Sequence, residues 1–249
     1  FIKNKTMKKI IYTLLVSTVG ISGFSQNAFM HYVTVKSSDA AEHIAAEKNV
    51  HAKYWQEQIN QGNKIGWDMW QISNNSYDEP TTTFLYVHFN NPEPSGSTIS
   101  SFSDHELAVH RKGYGDRVVK EGTLIVNIKA SHGITPGDIP PNNMVINYMN
   151  VDFFKGYEYE MMEKSVGPNY RDNGRAAWGF GKILNRFGSK HNVQYLTFDF
   201  YNSMDEILKI RTNTPKLSKT QINEWRKQRD LRTIHNTHML TLVAYARAK

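Results

Sequence analysis

The chain has 249 residues, 39% hydrophobic and 21% charged, which excludes intrinsic disorder and a membrane bundle and leaves room for one large domain or two small ones. Its formal charge is +7, but Lys3, Lys5, Lys8 and Lys9 fall in the first 25 residues with no acidic residue among them, so removing those four lysines leaves +3 and largely removes the case for a nucleic-acid partner. No cysteine is present, which excludes disulfide bracing, a lipid anchor on cysteine, thiol catalysis and thiolate metal sites.

From Met7 the sequence MKKIIYTLLVSTVGISGFSQ places two lysines before an apolar run, Ile10 to about Phe24, that ends in small residues. This is the order of a secretory signal peptide, and the run is short for a membrane span. Removal is expected near Ser25 or Gln26, and the preceding FIKNKT reads as sequence upstream of the true start. Residues 1–25 are therefore set apart from the fold. The expectation is an exported protein, periplasmic or secreted, with no stable membrane span once the signal is removed.

The first element, MHYVTVK from Met30, is a β-branched and aromatic strand. Ser38 then offers an N-cap for a helix with Ile44, Trp55 and Ile59 on one side and Gly62 as its stop. In IGWDMWQI the period-2 alternation sends Trp67 and Trp70 to opposite faces, so the sheet is expected to be covered on both sides. Phe84 to Phe89 is a third strand, apolar on both faces except at His88. A polar helix around His105 to Lys112 and a strand from Leu124 to Ala130 follow. The Pro- and Gly-rich stretch GITPGDIPPNN, residues 133–143, suits an exposed connector.

Beyond the connector the order repeats. INYMNVD at Ile146 matches MHYVTVK at an offset of 116, which carries Tyr32 onto Tyr148, Glu47 and Lys48 onto Glu163 and Lys164, and Tyr54 onto Tyr170. At an offset of 111 Trp67 falls on Trp178, and FLYVHFNN falls on YLTFDFYN. A helix from Ser218 to Arg229 and a strand from Met239 to Ala246 complete the second copy. Each copy is strand, helix, strand, strand, helix, strand, the ferredoxin-like order, with units at 28–132 and 144–249.

A hydrophobic first strand, a helix carrying a Glu and a Tyr or Trp, a Gly stop and a G-W strand resemble the dimeric α+β barrel superfamily. The tandem form resembles exported proteins of the Bacteroidetes type. The resemblance implies an α+β fold in which two tandem ferredoxin-like units close an intramolecular barrel, one sheet face meeting helices and the other lining the barrel. The superfamily includes cofactor-free oxygenases and haem-using enzymes as well as proteins without catalysis, so the fold does not choose among them.

Residues kept in both copies, such as Glu47 with Glu163 and Trp67 with Trp178, read as architecture, because each half must fold. Those that differ point to a specialised site: His31 becomes Asn147, His51 becomes Gly167, Trp55 becomes Arg171, Trp70 becomes Gly181 and His88 becomes Asp199. His88, alone in an apolar strand, is the candidate for acid–base chemistry, since imidazole titrates near neutrality. His51, Tyr54, Trp55 and His88 together make a candidate pocket for a flat apolar ligand. His235 and His238 sit three apart without an acidic neighbour in sequence and are not read as a metal pair; no metal site is assigned. The basic stretch from Ser203 to Lys249 reads as a solvated face, and motifs for hydrolases, kinases and dinucleotide enzymes are missing from the sequence. These features favour an exported small-molecule-binding or interaction protein requiring no cofactor, with an oxygenase-like enzyme, cofactor-free or haem-using, as the alternative. No sequence feature fixes the oligomeric state.

Overall fold

The computed structural model describes residues 26–74, 80–97, 99–185, 193–213 and 218–248; the signal-peptide pattern lies outside these residues. Within them the first half runs β1 (Asn27–Lys36), α1 (Ala40–Ala46), a π-helical turn (Glu47–His51), α2 (Ala52–Asn60), β2 (Lys64–Ile72), β3 (Thr81–Asn90), α3 (Asp104–Arg117) and β4 (Val118–His132). The second runs β5 (Asn143–Val151), α4 (Gly156–Val166), a 3-10 stretch (Gly167–Asn173), β6 (Ala177–Ile183), β7 (Tyr195–Tyr201), α5 (Met204–Thr212), α6 (Lys219–Leu231) and β8 (Arg232–Arg247).

The eight strands form a closed barrel in the order β1-β3-β2-β8-β5-β7-β6-β4, every pair antiparallel. Each half supplies a four-stranded ferredoxin-like sheet, and the two sheets join where β2 meets β8 and β6 meets β4. The registers of the halves correspond. Tyr32 lies opposite Leu85 and Tyr148 opposite Leu196; Trp67 is flanked by His88 and Ala246, Trp178 by Asp199 and His132. The chain is thus an α+β protein whose two ferredoxin-like units make one dimeric α+β barrel.

Strand alternation sorts the side chains. Met30, Trp70, Leu85, Val87, Ile146, Leu196 and Phe198 fill the barrel, and the hydroxyls of Tyr32 and Tyr148 hydrogen-bond to each other within it. Outside, Val33, Val35, Trp67, Met69 and Phe84 pack under α1 and α2 with Ile44, Trp55 and Ile59. In the second half Trp178, Phe180 and Tyr195 do the same under α4, whose Tyr159 packs down among them. Trp67 and Trp70 are both fully buried, one beneath the helices and the other inside the barrel. Packing of this density around two indoles explains why a nine-residue strand carries both.

Local signals set most boundaries. Ser103 caps α3, its hydroxyl accepting from the Glu106 N–H at 3.2 Å while its own N–H donates to Glu106 Oε2 at 2.8 Å; Ser218 and Gln221 repeat this box at α6. Gly62, at φ 77°, ends α2. Two expectations are corrected. Ser38 is not an N-cap: it lies in a 3-10 turn, Ser37–Asp39, whose capping position is Lys36, and its hydroxyl donates to Asp39. The connector is not wholly exposed: Pro140 is buried, and the Asp138 carbonyl accepts from Arg247 Nε at 2.7 Å. It crosses one mouth of the barrel because β4 ends and β5 begins at that mouth.

Candidate functional site

The outer face of the first sheet and the helices above it hold a cluster of titratable side chains. Strand alternation turns His31, Tyr86 and His88 outward, away from the barrel and toward the helical layer. The π-helical turn at Glu47–His51 interrupts the α-helical ladder between α1 and α2. Residues 47 and 51, four apart, share one face of this turn, and His51 Nδ1 meets Glu47 Oε2 at 2.6 Å. The Glu47 side chain has no exposed surface. From α3, His110 enters the same space: its ring sits 4.1 Å from that of His51, edge to face, and its Nε2 is 3.9 Å from Glu47 Oε1.

Two further imidazoles flank this group. His43 Nε2 and the Tyr86 hydroxyl hydrogen-bond at 2.7 Å, and His31 Nε2 reaches the Tyr114 hydroxyl at 3.2 Å and Glu121 at 3.4 Å. Burial pushes His110 down to about 4, helped by the neighbouring His51, while the Glu47 carboxylate opposes the shift. Burial likewise lowers His43. The hydroxyls of Tyr86 and Tyr114 are pushed far up, by burial first and by Glu47 among the nearby carboxylates, and stay protonated as donors.

The sequence-predicted residues form a chain beside this group. Trp55 packs edge-on against His88 at 5.2 Å, against Tyr54 at 4.8 Å and more loosely against His51 at 6.4 Å. Lys64 lies over the Trp55 ring at 4.4 Å and reaches His88 Nδ1 at 3.2 Å and Asn90 Oδ1 at 2.5 Å. Trp55, Tyr54 and His88 are therefore brought together, whereas His51 turns to Glu47 and His110. His88 is pushed down to about 3 by burial and the Lys64 ammonium, so its imidazole is neutral and a weak base. Burial lowers Lys64 to about 8, so this amine beside Trp55 titrates near neutrality. The sequence reading missed Lys64, Glu47 and His110 as site residues.

The equivalent space in the second unit is filled. A Cβ on Gly167, where the first unit has His51, would collide with the Trp178 ring. Asp199, the counterpart of His88, pairs with Arg175 at 2.7 Å and accepts from Asn147 Nδ2 at 3.0 Å. Glu163, the counterpart of Glu47, faces Arg232 at 3.6 Å. His235 falls at the irregularity in the pairing of β8 with β5, whereas His238, three residues on, bonds the Tyr148 hydroxyl at 3.0 Å.

Inside the barrel, beneath the connector, lies an apolar cavity of about 80 Å³ bordered by Met30, Trp70, Phe198, Phe200 and the buried Asp68–Arg247 pair, 2.6 Å apart. It is smaller than the roughly 150 Å³ that admits a benzene ring. Haem, implied by the superfamily resemblance, fits neither place: the cavity is too small and presents no imidazole, and at His88 the Nδ1 is taken by Lys64 at 3.2 Å while the ring packs edge-on against Trp55.

No family model and no curated protein matches the sequence. Solved structures do. The chain is similar to a proposed monooxygenase from Lactobacillus acidophilus NCFM, with TM-score 0.59, 14% identity and 90% and 96% of the two chains covered. It is similar to another from Fusobacterium nucleatum subsp. nucleatum, with TM-score 0.58, 11% identity and 90% and 94% covered. An anthrone oxidase-like protein matches at TM-score 0.50 and 10% identity, over 90% and 93%. At such identities the likeness is one of fold.

Proposed function

We propose that this chain is an exported small-molecule-binding protein in which the first unit takes a flat, mostly apolar ligand between its helices and its sheet. The inequality of the halves carries this reading: where the second unit has Gly167 against Trp178 and Asp199 tied to Arg175, the first keeps His51, Trp55 and His88. Trp55 and Tyr54 supply the wall, and Lys64 and neutral His88 orient one polar group. The repeated registers support descent of residues 28–132 and 144–249 from one duplicated unit joined by 133–143. Such a fusion frees one half to specialise while the other keeps its packing.

A second reading, an oxygenase-like enzyme, draws on the names of the fold neighbours and on Lys64. An amine titrating at about 8 can take up or release a proton at neutral pH, a role the weakly basic His88 fills poorly.

The test is an unbiased ligand search by native mass spectrometry on protein recovered from its host, repeated on Trp55→Ala and His88→Ala. A ligand retained by the wild type and lost from both variants supports the reading; undiminished binding in both removes it. N-terminal sequencing of the same material tests export, which an intact Met7 would refute.

A further inference from the structure

We infer that Glu47, His51 and His110 form a binding site for one divalent first-row transition metal ion. This goes beyond the ligand reading and rests on geometry of its own. One ligand atom from each of the three residues lies within 4.8 Å of the others. Metal bonds of about 2.0–2.2 Å set ligand atoms roughly 3–3.5 Å apart, so side-chain rotations of about 1 Å complete the set.

The buried polar atoms point the same way. Glu47 Oε1 and His110 Nε2 are both buried, and neither has a hydrogen-bond partner among the described residues. Buried polar atoms are nearly always satisfied, and two orphans aimed at each other across 3.9 Å are accounted for by a cation between them. The second unit supplies the contrast. There the matching carboxylate, Glu163, has the Arg232 guanidinium and the Tyr159 phenol beside it. Among the described residues no guanidinium pairs with Glu47: Arg117, whose charge reaches His43 and His110, is paired with Glu42 at 3.0 Å. Two imidazoles stand in its place, groups that hold metals as well as protons.

The backbone contributes too. The π-helical turn coincides with residues 47–51, and such turns are frequent at functional sites. His51 is a quarter exposed, which gives the ion a route from solvent and leaves a coordination position facing outward. Three protein ligands with one open position is the arrangement of a reactive rather than a purely structural site. Two imidazoles and a carboxylate favour zinc, iron, cobalt or manganese over calcium or magnesium, which take oxygen ligands. His43 with Tyr86 and His31 with Tyr114 would form the surrounding hydrogen-bonded layer.

The experiment uses the full chain, stripped with a chelator and titrated at neutral pH with Zn²⁺ by calorimetry and with Co²⁺ by visible absorption. The expected result is one saturable equivalent, cobalt bands that respond to added small anions, and a metal-dependent rise in thermal midpoint. Glu47→Gln and His110→Ala should each weaken affinity by about 100-fold or more and abolish the cobalt bands. Glu163→Gln and His235→Ala should leave both unchanged. Should either buried variant fail to fold, His51→Gln, at a partly exposed position, reads the same loss. Absence of saturable binding in the wild type, retention in every folded ligand variant, or loss on His235→Ala overturns the assignment. No metal is added in the ligand search, and no organic ligand in this titration, so the two readings fail separately.

Discussion

At the scale of single residues, the imidazoles differ in what their surroundings ask of them. Free histidine takes a proton near pH 6.5, whereas His88 in the fold does so only near 3, so between these values the unfolded chain binds a proton that the folded chain refuses. The stability His88 contributes is therefore full above pH 6.5 and is lost as pH falls toward 3, at up to about 1.4 kcal/mol per pH unit. His88→Gln should flatten the fall in urea midpoint between about pH 6.5 and 4 relative to the wild type. An unaltered slope would mean that His88 protonates freely in the folded protein. Trp178→Ala acts differently. The indole is 3% exposed and stacks on Phe180 and His132, so its loss should cost roughly 3–5 kcal/mol at every pH, read from the same urea curves.

At the scale of elements, legibility in the sequence followed periodicity. The opposed faces of Trp67 and Trp70 follow from a period of two, and the match of Tyr32 with Tyr148 follows from the repeat offset of 116; neither needs tertiary information. The pairing of Trp55 with His88 was legible because helix and strand lie next to each other in a ferredoxin-like unit. His110 was not: it lies 59 residues beyond His51 on a polar helix, and only the packing of α3 against α1 brings it to Glu47. Glu47 itself read as architecture because Glu163 repeats it, yet the same carboxylate meets an arginine in one half and histidines in the other. The π-helical turn has no sequence mark, and Ser38 misled because a hydroxyl before a helix also suits a 3-10 turn. One element-level expectation follows from the filled second unit: Gly167→Ala should destabilise by about 1–3 kcal/mol, since the added methyl meets the Trp178 ring, while the site in the first unit keeps its properties. Paired thermal melts and ligand titrations would check both halves of that statement.

At the scale of the whole molecule, the barrel interior is one core drawn from both units, so the units should not melt separately. Tryptophan fluorescence and far-UV circular dichroism should trace a single coincident urea transition. Arg247 fastens this core at the mouth crossed by the connector, donating to Asp68, to the Trp67 carbonyl and to Asp138. Burial raises Asp68 to about 6 even with Arg247 beside it, so removing the guanidinium strands a buried acid. Arg247→Met should lower global stability by about 3–5 kcal/mol at neutral pH. Closure of the sheet has one more consequence. Among the described residues every strand has a neighbour on both sides, leaving there no row of unpaired backbone amides on which another chain could template itself. Cutting the connector and separating the halves would create four such rows, at β2 and β4 of one fragment and β6 and β8 of the other. Because each fragment then carries the complement of its own open borders, light scattering should find it joined to a second copy of itself rather than alone.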